Sequence, residues 1–266
     1  MSDAPLNAQI DAAHAYESLF VPALFHEWPS RIADAMQIRS GQRALDVGCG
    51  TGVLARELAA RVGSPALVVG LDRSEGMLSV AKEFAPEIEW RLGTAESLPF
   101  ADSSFDAVAN QFALMFFDDR HAAICEMLRV LTSGGKLGLA VWDALANNPA
   151  FEREVALLER MAGSEAAAAL RAPFVLGDRD VLRALFAEVG VTAEIHSHEG
   201  KARFPSIRTM VEADLRGWLP MMGVVLTEDL IGDVLNAAER SLTEYIAADG
   251  RAEFAVSALL ATATKH

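Results

Sequence analysis

The chain has 266 residues, 52% hydrophobic and 23% charged, which suits one sizeable α/β domain with an elaborated cap and lies far from the composition of a disordered chain. Its formal charge of −14 argues against duplex nucleic acid and anionic membrane as partners, and the four lysines, Lys82, Lys136, Lys201 and Lys265, are too scattered to form a basic patch. Residues 1–11 lack the features of a signal peptide and the longest apolar stretch, 255–263, is too short to span a bilayer, so a cytoplasmic protein is expected. Two cysteines, Cys49 and Cys125, read as reduced thiols, and no metal-ligand spacing occurs.

Residues 10–20 and 30–38 read as helices, the second with Ser30 as N-cap and Gly41 past its end. A tight βα rhythm follows: strand 44–47, helix 52–62, strand 66–71, helix 75–84 and strand 88–92. Strand 105–109, a helix over 119–131 opened by Asp118 or Asp119, and a continuous apolar strand at 137–142 extend it, and such alternation predicts a parallel sheet. Then 151–170 reads as one helix, 178–188 as another with Gly190 beyond it, 192–204 as a loosely alternating strand and 253–263 as a last apolar strand. The organisation expected is one domain over 1–266, with a helical cover (1–41), a core (42–143), the rest of the sheet and its helices (144–204 and 251–266), and a helical cap inserted between two late strands (205–250).

The informative segment is Leu45-Asp46-Val47-Gly48-Cys49-Gly50-Thr51-Gly52, which ends a strand and opens a helix. Glycines at alternate positions let the backbone turn sharply and come close to a ligand, and the helix behind them presents free N–H groups. A dinucleotide fingerprint nearly fits, reading Gly50, Gly52 and Ala55, and Asp72 at the end of the second strand would grip ribose hydroxyls in either cofactor class. The turn alone leaves both classes open. Asp46 either bonds the loop backbone or touches the cofactor, and Cys49 reads as a small filler in the turn.

Further segments decide. Leu71-Asp72-Arg73-Ser74-Glu75-Gly76-Met77-Leu78, Gly93-Thr94-Ala95-Glu96-Ser97-Leu98-Pro99-Phe100, Ser104-Phe105-Asp106-Ala107-Val108 and Leu131-Thr132-Ser133-Gly134-Gly135-Lys136-Leu137 follow the glycine turn in order. Together, over residues 42–143, they resemble a class I S-adenosylmethionine-dependent methyltransferase in the style of the quinone-biosynthesis C-methyltransferases. The resemblance implies a doubly wound, mostly parallel, seven-stranded Rossmann-like sheet, with S-adenosylmethionine as cofactor and S-adenosylhomocysteine as product. It implies that Gly48, Gly50, Thr51 and Gly52 wrap the methionine moiety and that Asp72, a paired acceptor, holds both ribose hydroxyls. Arg73 and Met77 would border the adenine. Thr94 and Ala95 stand where the family often has Asp-Ala or Asn-Ala reading the adenine edge, Gln111 matches a position near the methionine part, and Ser133 replaces the usual proline before two glycines.

Methyl transfer needs alignment more than a catalytic constellation, because positioning alone can lower a barrier by ~7–11 kcal/mol. The catalytic residue is left unassigned, with Tyr16, His14 and Asp143 as candidates. Tyr16 and His14 lie in a helix that in similar enzymes closes over the cofactor, and Asp143 follows the fifth strand, where ligands of open parallel sheets gather. Tyr16 is also a candidate cofactor contact. His196 and His198 read as a solvated face, and His121 lies at a helix start away from the site. Met210, Trp218, Leu219, Met221, Met222, Val224, Val225 and Leu226 either pack the cap or line an apolar pocket, and the same choice holds for Phe112, Met115 and Phe116. The expectation is a monomer or homodimer acting on a small, fairly apolar or aromatic acceptor. The rivals are a cofactor-binding protein without transfer activity and an NAD(P)-dependent oxidoreductase.

Overall fold

Short apolar runs, each ended by a tight turn and followed by an amphipathic helix, wind the first half of the chain into parallel strands. In the computed structural model, which describes residues 5–266, seven strands form one sheet: β1 (Ala44–Val47), β2 (Val68–Asp72), β3 (Glu89–Leu92), β4 (Phe105–Gln111), β5 (Leu131–Trp142), β6 (Ala193–Phe204) and β7 (Ala252–Thr264). Met1–Ala4, the start of the expected helical cover, lie outside the described residues. The order is β3-β2-β1-β4-β5-β7-β6, with β1 to β5 parallel and β7 antiparallel to both neighbours. Every residue of β1 is buried, as a strand covered on both faces requires. Among the described residues no helix is long and apolar enough to cross a membrane.

Side-chain caps set the helix starts. Ser74 accepts the Met77 N–H (3.3 Å) to open α4 (Glu75–Phe84), Asp119 accepts that of Ala122 (2.9 Å) to open α5 (Arg120–Val130), and Asp178 accepts that of Asp180 (2.7 Å) to open α8 (Arg179–Glu188). Other boundaries depart from the sequence reading. The first helix, α1 (Leu6–Ala15), passes into a π-helical stretch, Tyr16–Phe25, that contains Pro22, whose ring nitrogen has no proton to give the helix ladder. Ser30 is no N-cap: α2 (Trp28–Ala35) starts two residues earlier with Pro29 in its first turn, and the Ser30 hydroxyl donates to the Glu27 carbonyl (3.4 Å). The single helix expected over 151–170 is two, α6 (Pro149–Ala162) and α7 (Ser164–Arg171), broken by Gly163 at φ +90°. β5 starts six residues earlier than expected because its edge pairs back to Phe105 across a register shift.

Between β6 and β7 the chain forms a cap of α9 (Ile207–Ala213), a π-helical turn Asp214–Trp218, α10 (Leu219–Met221) and α11 (Glu228–Ser241). The Trp218 indole donates to the Ala169 carbonyl (2.8 Å) and its ring lies 5.1 Å from that of Phe116, just past β4, so the cap sits over the carboxyl end of the sheet. The apolar stretch divides: Met210 and Leu219 are buried, whereas Met221, Met222 and Val225 lie on the surface.

Two acids are buried where α6 meets the cap. No N–H group or hydroxyl reaches either oxygen of Glu154, and its neighbour is the Asp214 carboxyl. Burial raises both carboxyls, the Asp214 charge raises Glu154 further, and a hydrogen bond between them requires a shared proton. A raised folded-state carboxyl contributes stability that is fully present below the ordinary carboxylate range and is lost as pH rises through the folded value. Urea unfolding between about pH 4 and pH 8 is therefore expected to show the wild type losing stability relative to Glu154→Gln as pH rises.

Candidate active site at the carboxyl ends of the strands

The glycine turn is tied to the end of β2. The N–H groups of Gly48 and Cys49 donate to the Leu71 carbonyl (2.8 and 3.0 Å), and Gly50 N–H donates to Asp72 Oδ2 (2.8 Å). Asp72 Oδ1 accepts the Ser74 N–H (2.9 Å), so one carboxylate fixes both turns. Burial pushes the Asp72 carboxyl up, and the N–H groups of Gly50, Ser74 and Arg73 oppose that shift. The three glycines have different tasks. A Cβ on Gly52 would collide with the Trp90 indole, and one on Gly48 would come within 2.6 Å of Ala113 Cβ. Only a Gly50 Cβ would enter open space, its nearest neighbour being Tyr16 Cε1 at 4.0 Å. Behind Gly52, at φ +88°, α3 (Val53–Val62) begins.

Asp46 and Gln111 flank this turn. In register Asp46 faces Ala109, two residues before Gln111, so both side chains leave the same face of the sheet. Both Asp46 oxygens and Gln111 Oε1 are buried without a hydrogen-bond donor. Burial pushes the Asp46 carboxyl up to about 8, the Ala55 N–H in the first turn of the helix behind Gly52 opposes that shift, and the Asp72 charge adds to it. Cys49 is buried and its thiol is raised by burial, as a filler would be.

Tyr16 roofs the turn. Its ring stacks with those of Phe20 (6.0 Å) and Phe25 (5.5 Å), and burial, then the charges of Glu17, Asp72 and Asp46, raises its hydroxyl. Glu17, which the sequence reading missed, bonds the Thr51 hydroxyl and the Arg56 guanidinium (2.7 Å), and Arg56 donates to the Thr51 carbonyl (2.8 Å). Asn110 was missed as well: it braces the site by donating to the Val47 carbonyl (2.6 Å) and accepting the Leu114 N–H (3.1 Å).

Beyond the turn stands an aromatic wall. Phe112 and Trp142 stack at 4.1 Å, Phe25 and Trp28 pack on both, and Phe174 packs on Trp142. Phe112 holds φ +54°, a left-handed conformation that costs a non-glycine residue about 1–2 kcal/mol and that turns its ring onto Trp142. On the other side of Asp72, Met77 is half-buried, Ala95 is buried, Thr94 is exposed, and Arg73 pairs with Asp118 at 3.6 Å across the rim.

The other candidates lie apart from this centre or are engaged elsewhere. His14 is exposed and pairs with Glu83 on α4 (3.4 Å). Exposed His121 lies 3.8 Å from the Cys125 sulfur. His196 is exposed and His198 is half-buried, its imidazole lowered first by burial and then by the Arg31 and His196 charges. Asp143 is engaged at both oxygens: Oδ1 accepts from Ala144 N–H (2.7 Å) and Asn147 Nδ2 (2.9 Å), and Oδ2 from the hydroxyls of Ser197 (3.0 Å) and Ser257 (2.8 Å). Burial pushes this carboxyl up, but the hydrogen bonds outweigh it and hold it below the usual carboxylate range.

Residues 45–139 match the methyltransferase domain family. A demethylmenaquinone methyltransferase of Renibacterium salmoninarum is 46% identical over 113 residues, covering 42% of this chain and 46% of that protein, so the chain spans about half the length of that curated relative. A demethylmenaquinone methyltransferase of Staphylococcus carnosus is 34% identical over 188 residues, covering 65% of this chain and 78% of that protein. The crystal structure of the YcgJ protein of Bacillus subtilis shares the fold at a TM-score of 0.60 and 20% identity, covering 91% of this chain and 99% of that one. The seven-stranded order with an antiparallel β7 between β5 and β6 is the Rossmann-like methyltransferase fold. The chain belongs to the class I S-adenosylmethionine-dependent methyltransferases of the quinone-biosynthesis type.

Replacing Asp143 with alanine leaves Ser197, Ser257 and Asn147 without their acceptor, and a loss of about 1–3 kcal/mol in urea unfolding is expected. Because its folded-state carboxyl is depressed, that contribution is present above the unfolded value and is lost as pH falls through the folded one.

Proposed function

We propose that the chain transfers a methyl group from S-adenosylmethionine to a small aromatic acceptor of quinone type. The observation that carries this reading is the pair of buried acceptors, Asp46 and Gln111 Oε1, that have no donor at hydrogen-bond distance, beside the one glycine of the turn that opens onto free space. Such a pair fits the ammonium group of an amino-acid moiety, and Asp72, whose bonds to Gly50 and Ser74 leave lone pairs unused, fits the ribose hydroxyls. Gly48, Thr51 and Gly52 shape the same turn, and Arg73, Met77, Thr94 and Ala95 border the adenine side. S-adenosylmethionine, when bound, supplies a methyl group already activated on sulfonium. The chain has to align the acceptor and exclude water, which is the task of the Tyr16 roof and of the wall formed by Phe25, Phe112 and Trp142. Flat aromatic faces bind a flat ring by offset stacking, and the names of the relatives point to quinone-type acceptors.

Incubation with methyl-labelled S-adenosylmethionine and a panel of reduced quinones and phenols tests the reading. Label in a quinol product supports it. Donor binding with no acceptor methylated across the panel favours a binding protein without transfer activity, and tight NAD(P) binding with no donor binding favours an oxidoreductase. Asp72→Ala is expected to weaken S-adenosylhomocysteine binding by more than about tenfold, measured by isothermal titration.

Asp46 adds a pH signature. Its folded-state carboxyl, raised to about 8, contributes stability fully present below the usual carboxylate value and lost as pH rises through about 8. At about pH 7 the ligand-free protein therefore holds this proton, and pairing with an ammonium group releases it. Titration of S-adenosylhomocysteine in buffers of different ionisation enthalpy is expected to show proton release in the wild type and less in Asp46→Asn.

A further inference from the structure

The N-terminal segment reaches the glycine turn through one polar junction. The Glu17 carboxylate, with a side chain only 10% exposed, accepts from the Thr51 hydroxyl through one oxygen and from Arg56 through the other (2.7 Å). Arg56 is held in turn by the Thr51 carbonyl (2.8 Å) and lies over the Phe84 ring (5.5 Å) at the end of α4. One residue before Glu17, Tyr16 stands over Gly50. About two helix turns further up, α1 rests its backbone on α4 at Gly76, where a Cβ would come within 2.6 Å of Gln9. The segment thus has an apolar bed along α4 and a charged fastening at the site itself. A charge pair this close to a binding turn and this little exposed contributes more than a surface pair, because solvent screens it less.

Resting on the donor reading above, we propose that Glu17 is a positioning residue for donor retention: by fastening to Thr51 and Arg56 it holds the Tyr16–Phe25 segment closed over the glycine turn and slows escape of the bound adenosyl ligand. Loss of the Glu17 charge acts on the roof alone, whereas loss of Arg56 also removes a bond to the Thr51 carbonyl of the turn. Glu17→Gln keeps the shape and removes the charge, and Arg56→Met keeps the length and removes the guanidinium.

The test follows S-adenosylhomocysteine by stopped-flow dissociation and by hydrogen exchange of residues 6–25, with and without ligand. Either variant is expected to release the ligand about tenfold faster, and the double variant no faster than the worse single one, since both substitutions break the same pair. Ligand-induced protection of 6–25 is expected to fall in both variants, beyond any change in protection of the same residues without ligand. Glu17→Asp is expected to recover part of the slow release. Unchanged release rates in both variants, with normal binding in the wild type, overturn the fastening alone. Additive effects in the double variant also overturn it. Absence of binding in the wild type overturns the donor reading and the proposal together.

Discussion

The site depends on one geometric constraint: consecutive N–H groups of the glycine turn are directed onto the end of the neighbouring strand. Gly48 and Cys49 donate to the Leu71 carbonyl and Gly50 to the Asp72 carboxylate, so the turn after β1 is set by where β2 stops. Because β1 and β2 are buried and locked in parallel register, their ends do not slide, and the turn inherits the rigidity of the sheet. With those N–H groups satisfied internally, the only gap in the turn is the missing side chain of Gly50. Gly48 and Gly52 are glycines for a different reason, since Ala113 and Trp90 already occupy the volume that a side chain would need.

Around that turn the buried polar groups divide into two kinds. Asp143, Asn110 and Asp72 are satisfied by the protein's own donors and serve as fittings between strands and loops. Asp46 and Gln111 Oε1 are not satisfied, and leaving a buried polar group in that state costs on the order of 1–3 kcal/mol. The chain carries that cost at the carboxyl ends of β1 and β4, where a ligand of an open parallel sheet is found. The left-handed backbone of Phe112 is a second cost at the same place, and it sets an aromatic face against Trp142. A strained backbone and unmet hydrogen-bonding groups thus coincide at the site, as they do at functional sites in general.

Much of the donor half is legible in the sequence because it is local. The strand, turn and helix from Leu45 to Val62 occupy consecutive residues, and Asp72 is recognisable from its spacing alone. β6 and β7 are legible for a similar reason, as long runs with strand periodicity. What the sequence hides is contact across distance. Glu17 and Arg56 are 39 positions apart, and nothing in either segment marks them as partners. Asp143 looked suited to catalysis from its place after β5, yet Ser257, 114 positions on, makes it a fitting. Helix boundaries at Ser30 and within 151–170 were misjudged because Pro29 and Gly163 act through backbone geometry rather than through apolar periodicity. The aromatic wall draws Phe25, Phe112, Trp142 and Phe174 from four separate segments, so no window of sequence contains it.

The pairing of β6 with β7 has a consequence for how such a protein changes. The two strands stay in register from Ala193 with Ala263 to Phe204 with Ala252, and everything between Phe204 and Ala252 leaves and re-enters the sheet at facing positions. The ends of that excursion are pinned a strand spacing apart whatever its length, and doubling a flexible loop closed in this way costs only about 0.6 kcal/mol. The cap is therefore an exchangeable lid on a fixed vessel. Its helices can be lengthened, shortened or replaced to suit a different acceptor, with the glycine turn and Asp72 left as they are on the far side of the sheet order.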